Sequence, residues 1–285
     1  MAPYCYICSY RQPTGPQRIV NHRHSSSREV RLMQGVDFST QALTYMCPTC
    51  MEAHDTWPEY GLNVCLGTSH LHNVHHPMDP TVTCPPDPLH VDWVTISGGT
   101  ITDLTNAFLH DYKRQCRPMR ILVSAGLNDI IRGADRDTVV GRFIRLKEVI
   151  DEQNLFHAHA SNQLTIAALL NPPKLVWFEG NGPAPDDHVN HLGDIKEINA
   201  WISNQNRNNG RTYTPRFNRF GVRCGRVWDE GAGSMVKYQQ HQMNQWRESE
   251  PVHDKLHLND QWRVRMAGAV VKHFQGELNR FGPLV

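Results

Sequence analysis

The chain has 285 residues, 39% apolar and 20% charged, with a net charge of +1. That is an ordinary composition for a globular protein, long enough for one sizeable domain plus a small one, and the balanced charge argues against a polyanion binder acting through its whole surface. No apolar stretch reaches the roughly 18 residues of a membrane span, and the start, MAPYCYICSY, lacks the basic-then-apolar pattern of a secretory leader. No membrane partner is expected, the location is expected to be intracellular (cytoplasmic or nuclear), and the eight Cys are expected as thiols or metal ligands.

Residues 1–90 hold six of the eight Cys and eight of the 17 His, with poor apolar periodicity. Such a segment needs a staple to fold. Cys5-x-x-Cys8 and Cys47-x-x-Cys50 are two knuckles, each aiming two thiolates at one point, and together they supply four tetrahedral ligands for structural Zn²⁺. The long separation of the pairs leaves His22 or His24 able to replace one Cys. A second group (His54, Cys65, His70, His72, His75, His76 and Cys84) fits either a second zinc site or a His-rich loop. The segment carries a net charge of −2, which suits a structural or protein-binding role better than phosphate contact. Residues 1–76 are therefore expected as a zinc-binding module. Residues 77–90, with five Pro, are expected as an extended linker to a domain over 91–285.

Beyond residue 90, strands and helices alternate. Residues 91–97 (VDWVTIS) read as a buried strand, and 103–115 as a helix with Asp103 at its N-cap. Residues 119–125 (MRILVSA) and 164–170 read as further strands, the latter stopped by Pro172 and Pro173, with 174–178 (KLVWF) continuing it or adding another. Helical spacing covers 136–156, 194–206 and 260–274, the last capped by Asn259 or Asp260. The expected fold is α/β, a mostly parallel sheet flanked by helices.

Three stretches carry chemistry. Gly98-Gly99-Thr100-Ile101-Thr102 follows the first strand, Gly126-Leu127-Asn128-Asp129 follows the second, and Asp254-Lys255-Leu256-His257-Leu258 precedes the last helix. In a parallel sheet the carboxyl ends of strands share one edge, where ligands bind. There the stretches would assemble a hydroxyl, an amide, an imidazole and a carboxylate, the parts of an acyl-transfer site. The plain alternatives are a glycine turn, a helix cap and a local surface pair.

The order and content of these stretches resemble the SGNH (GDSL-type) hydrolases over residues 91–275. Gly126-Leu127-Asn128-Asp129 matches the family's Gly-x-Asn-Asp, and Asp254-x-x-His257 matches its late Asp-x-x-His. The resemblance implies a three-layer sandwich and a carboxylic-ester hydrolase (esterase or deacetylase) acting on a small ester or acetylated substrate. It also implies Asn128 as an oxyanion donor, His257 as base and Asp254 as its orienter, with no cofactor for the chemistry. The family's Gly-Asp-Ser turn is replaced: aligning GGTIT on it puts Thr100, not Ser97, at the nucleophile position, and a β-branched hydroxyl is crowded for attack. The family's remaining oxyanion glycine has only Gly180 and Gly182 as candidates.

Residues 204–226 hold six Arg and no acid, interleaved with Tyr213, Phe217 and Phe220. Arg and aromatics together suit phosphate contact and base stacking. Some SGNH-like domains have lost their catalytic groups and bind RNA, and others sit beside zinc-binding modules in retroelement-encoded proteins. The alternative expectation is thus a scaffold binding RNA or DNA through Arg211, Arg216, Phe217, Arg219, Phe220 and Arg223.

Overall fold

A computed structural model describes residues 18–21, 43–46, 62–71, 86–89, 91–112, 119–153, 162–246 and 255–282. The Cys5, Cys8, Cys47 and Cys50 knuckles, His22, His24, His54, His72, His75, His76, Cys84 and Asp254 lie outside the described residues. Strands β1 (Arg18–Asn21) and β2 (Leu43–Met46) form an antiparallel pair.

The main sheet contains β3 (Leu62–Gly67), β4 (Asp92–Thr95), β5 (Met119–Ser124) and β6 (Gln163–Ile166), all parallel, in the order β4-β3-β5-β6. Strand β3 overturns two expectations. It lies within the segment assigned to the zinc module, yet it is a central strand, so the larger domain begins before the Pro-rich stretch rather than at residue 91. Cys65, a candidate zinc ligand, is fully buried in that strand between Val64 and Leu66. It acts there as a small apolar side chain, and burial pushes its thiol pKa well up.

The end of the Pro-rich stretch is not a free linker either. Leu89 is buried. The Asp87 carboxylate accepts from the Leu89 and Val91 amides and the Trp93 indole, which clamps the chain as it enters β4. The Lys174–Phe178 run forms no strand: it follows Pro172-Pro173, makes turns, and still buries Leu175, Val176 and Phe178.

Among the described residues, five helices flank the sheet: α1 (Ile101–Tyr112), α2 (Leu127–Ile131), α3 (Arg136–Gln153), α4 (Leu192–Asn208) and α5 (Asp260–Phe281). Each long helix buries one stripe at three- and four-residue spacing. Ile101, Leu104 and Phe108 do so on α1; Val139, Phe143, Leu146 and Ile150 on α3; Ile195, Ile198 and Ile202 on α4; Met266, Val270 and Phe274 on α5. Asn259 caps α5 as expected, its side chain accepting from the Trp262 amide at 3.1 Å.

An antiparallel hairpin, β7 (Val222–Asp229) with β8 (Ser234–His241), interrupts the α/β alternation. Its base is seated by His241, which is buried among Trp177, Phe178 and Trp246. The Asn181 amide donates to His241 Nδ1 at 2.8 Å, so Nε2 carries the proton and donates to the Asn171 carbonyl at 3.0 Å.

Burial lowers the pKa of His241 from 6.5 to about 4, and burial followed by the Arg211 charge does the same to His273. Between pH 6.5 and 4 the unfolded chain therefore binds protons that the folded chain refuses. The stability contributed by each neutral ring is complete above pH 6.5 and is lost as pH falls through this window. The expected loss by pH 5 is on the order of 1–2 kcal/mol for each ring after solvent screening. Urea unfolding at pH 7 and pH 5 checks this, and a His241→Gln/His273→Gln chain with an unchanged pH slope would contradict it.

Candidate active site

Gly67 of β3 is in register with Thr95 of β4 on one side and Ser124 of β5 on the other, so three strands end at one level. The loops leaving that edge are Thr68-Ser69-His70-Leu71, Ile96 to Thr100, and Ala125 to Asn128. Backbone bonds lock the first of them: Thr68 N–H donates to the Ser124 carbonyl and Leu71 N–H to the Thr68 carbonyl. A Cβ on Gly67 would meet the Leu71 side chain at 3.0 Å, so any larger residue there would push Leu71 outward as the chain folds back over the strand end.

This turn carries a further candidate hydroxyl, one that the sequence reading did not single out. Ser69 is half-buried directly beyond the central strand. The ring of the next residue, His70, lies 5.4 Å from the ring of His257, centroid to centroid. The loop carrying His257 is fixed by three contacts. The Lys174 amide donates to the Lys255 carbonyl, Leu258 bridges to Trp246, and the Asn259 amide donates to the Gln245 carbonyl. His257 is thus delivered to the Ser69 turn by the far end of the chain. Asp254, three residues earlier in the sequence, lies outside the described residues.

Thr100, expected at the nucleophile position, stands at the end of the loop after β4. It precedes α1 and forms a reciprocal cap with Asp103. The Thr100 amide and hydroxyl both donate to Asp103 Oδ2 at 2.8 Å, and the Asp103 amide returns to Thr100 Oγ1 at 3.3 Å. These bonds to Thr100 hold the Asp103 carboxyl below its ordinary pKa. The β-branched hydroxyl at this position is explained by the capping box, and its proton is committed to a carboxylate. Thr100→Ala is expected to cost about 1 kcal/mol of stability while leaving ester turnover unchanged; denaturant midpoints and initial rates measured together check both halves. Ser97 is exposed in the turn before it.

The Gly126-Leu127-Asn128-Asp129 stretch stands at the same edge. Gly126 has φ +114°, and a Cβ there would meet Leu169 at 3.3 Å, so both backbone and space call for glycine. Asn128 Nδ2 donates to the Gly99 carbonyl at 2.8 Å, joining this loop to the loop after β4. An amide carries two N–H donors, so a second remains. Asp129, fully buried, accepts from the Ile101 amide at 3.1 Å and pairs with Arg142 at 2.6 Å. Its work is to bind α1 and α3 to the loop that presents Asn128.

Gly180 and Gly182 help seat the hairpin. A Cβ on Gly180 would meet the Gln239 carbonyl at 2.6 Å, and the Gly182 carbonyl accepts from the Trp177 indole.

The Arg/aromatic stretch does not form one cationic face. Arg211 makes an ion pair with Glu277 at 2.6 Å, with side-chain exposures of 9% and 4%, and Phe217 is in the core. Phe220 packs edge-on against Phe217 and Trp262. Arg216, Arg219 and Arg223 remain exposed. Among the described residues no cluster of three or more His, Cys, Asp or Glu could hold a metal ion. No helix among the described residues is long and apolar enough to cross a membrane.

No protein-family model matches the chain, and no curated protein matches its sequence. Solved structures do resemble it. A GDSL-like lipase from Bacteroides thetaiotaomicron superposes with a TM-score of 0.50 at 14% identity, over 76% of this chain and 88% of that one. A member of the lipolytic G-D-S-L family from Veillonella parvula gives 0.45 at 12%, over 75% and 97%. A psychrotrophic esterase from Pseudoalteromonas sp. gives 0.44 at 13%, over 77% and 100%. The lipase likeness establishes an SGNH-hydrolase-like fold.

Proposed function

We propose that the chain is a carboxylic-ester hydrolase whose nucleophile is Ser69, not Thr100. One observation carries this reading: the His257 ring lies against His70, beside the only serine in the turn that closes the central strand. Gly67-Thr68-Ser69 then stands where the family has Gly-Asp-Ser, with Thr68 in the Asp position.

In this mechanism His257 takes the proton of the Ser69 hydroxyl as the oxygen attacks the ester carbonyl, with Asp254 orienting the imidazole. The second N–H of Asn128 and the Ser69 backbone N–H stabilise the developing oxyanion. His257 returns the proton to the departing alcohol. A water, activated by the same ring, attacks the acyl-serine and releases the acid and free Ser69.

A fluorophosphonate probe tests the assignment directly, because it is attacked by an activated hydroxyl nucleophile and the adduct marks which one. Mass spectrometry of the labelled chain should place the adduct on Ser69, and His257→Ala should abolish labelling. An adduct on another residue, or no adduct with a folded protein, would overturn the proposal.

A further inference from the structure

A cavity of about 300 Å³ opens at the carboxyl end of β6. That end lies on the same sheet edge as the Ser69 turn, two strands away across β5, or about 10 Å at ordinary strand spacing. The loop leaving β6 is also tied to the His257 loop through the Lys174–Lys255 bond. Asn171, Asn199, Asn218, Gln239, Arg216 and Arg219 line the cavity.

Its lining is polar and cationic: Asn199, Ser203, Thr214 and Gln239 contribute amide and hydroxyl groups, while the Asn171 and Asn218 side-chain oxygens are sealed from solvent. The site is rigid: the Asn171 backbone carbonyl is held by His241, and the Ala168 amide donates to the Pro215 carbonyl. Arg216 and Arg219 are exposed and form no ion pair among the described residues. They flank one turn, joined by the Arg219 amide to the Arg216 carbonyl. Paired guanidinium groups recognise a carboxylate or a phosphate.

We propose that this cavity is the subsite for the alcohol part of the ester, and that it takes an anionic polyol: a sugar bearing a carboxylate or a phosphate. The ligand's hydroxyls bond to the Ser203, Thr214 and Gln239 side chains of the lining, and its anion lies between Arg216 and Arg219. This rests on the hydrolase reading for its catalytic meaning, but the binding itself does not require turnover.

Calorimetric titration of the full chain with methyl glucuronoside, glucose 6-phosphate and methyl glucoside tests it. At least one anionic sugar should bind saturably, and the neutral glucoside at least about tenfold more weakly. Which anion binds tells carboxylate from phosphate. Arg216→Gln/Arg219→Gln should erase the preference, and Gln239→Leu should weaken every ligand. The proposal fails if no ligand binds at millimolar concentration, or if the preference survives in the double Arg variant. Because titration needs no catalysis, binding without fluorophosphonate labelling would sink the hydrolase reading alone, and labelling without binding would sink only the subsite.

Discussion

Ser69→Ala is expected to lower kcat/KM on a short-chain p-nitrophenyl ester by about 10⁴-fold or more, the scale of nucleophile loss in serine hydrolases. That is about 5 kcal/mol of transition-state stabilisation or more, at 1.36 kcal/mol per tenfold. The size follows from the chemistry, because without the hydroxyl no acyl-enzyme forms and only the oxyanion donors still act. His257→Ala should fall to the same floor, since Ser69 and His257 work as one unit, and the double variant should be no worse than either. Asn128→Ala should lose about 10²–10³-fold, the usual cost of one oxyanion donor, and should also loosen the Gly99 loop it anchors. Thr100→Ala is the decisive control. If it removes activity while Ser69→Ala retains it, the assignment of the nucleophile is wrong, whatever the fold.

The largest stability effect is expected at Glu277→Gln. Glu277 is 3% exposed and pairs with Arg211, which also donates to Gln163 at the start of β6. Arg120, fully buried in β5, feels both the Glu277 carboxylate and the Arg211 charge, and it donates to the Gly282 carbonyl at the end of α5. One carboxylate therefore compensates two guanidinium groups that lie out of water. Its removal should cost about 3–5 kcal/mol, the usual penalty for orphaning a buried charge, and lower the melting temperature by about 10 °C. A double change, Arg211→Met with Glu277→Met, should recover much of that, because well-packed apolar side chains replace buried ion pairs at little cost. A Glu277→Gln chain within 1 kcal/mol of the parent would show that solvent reaches this pair.

The same pair explains why part of the Arg/aromatic stretch misleads when read as a string. Six Arg without an acid between residues 204 and 226 suggest a cationic surface. The acid that neutralises Arg211 is 66 residues further on, in α5. Local charge counts cannot see a partner brought in by packing. The unpaired remainder, Arg216 and Arg219, meets Asn199 of α4 and Gln239 of β8 only through the tertiary fold.

Much of the architecture is written locally. The apolar run of β5, the three- and four-residue spacing of α1, α3, α4 and α5, the Asn259 cap and the Gly126-to-Asp129 turn all follow from near neighbours in the chain. For that reason the α/β class and the parallel sheet were legible without coordinates, and so were Asn128 and His257 as candidates. The nucleophile was not. Leu62–Gly67 is six residues long and contains a Cys beside a His-rich segment, so metal-ligand spacing competed with strand periodicity. An apolar run ending in Gly-x-Ser was the signal available. Only the tertiary structure brings His257 beside one of two glycine turns at one sheet edge, because strand order and the position of a ring more than 180 residues away are set by burial of the whole sheet, not by any local pattern.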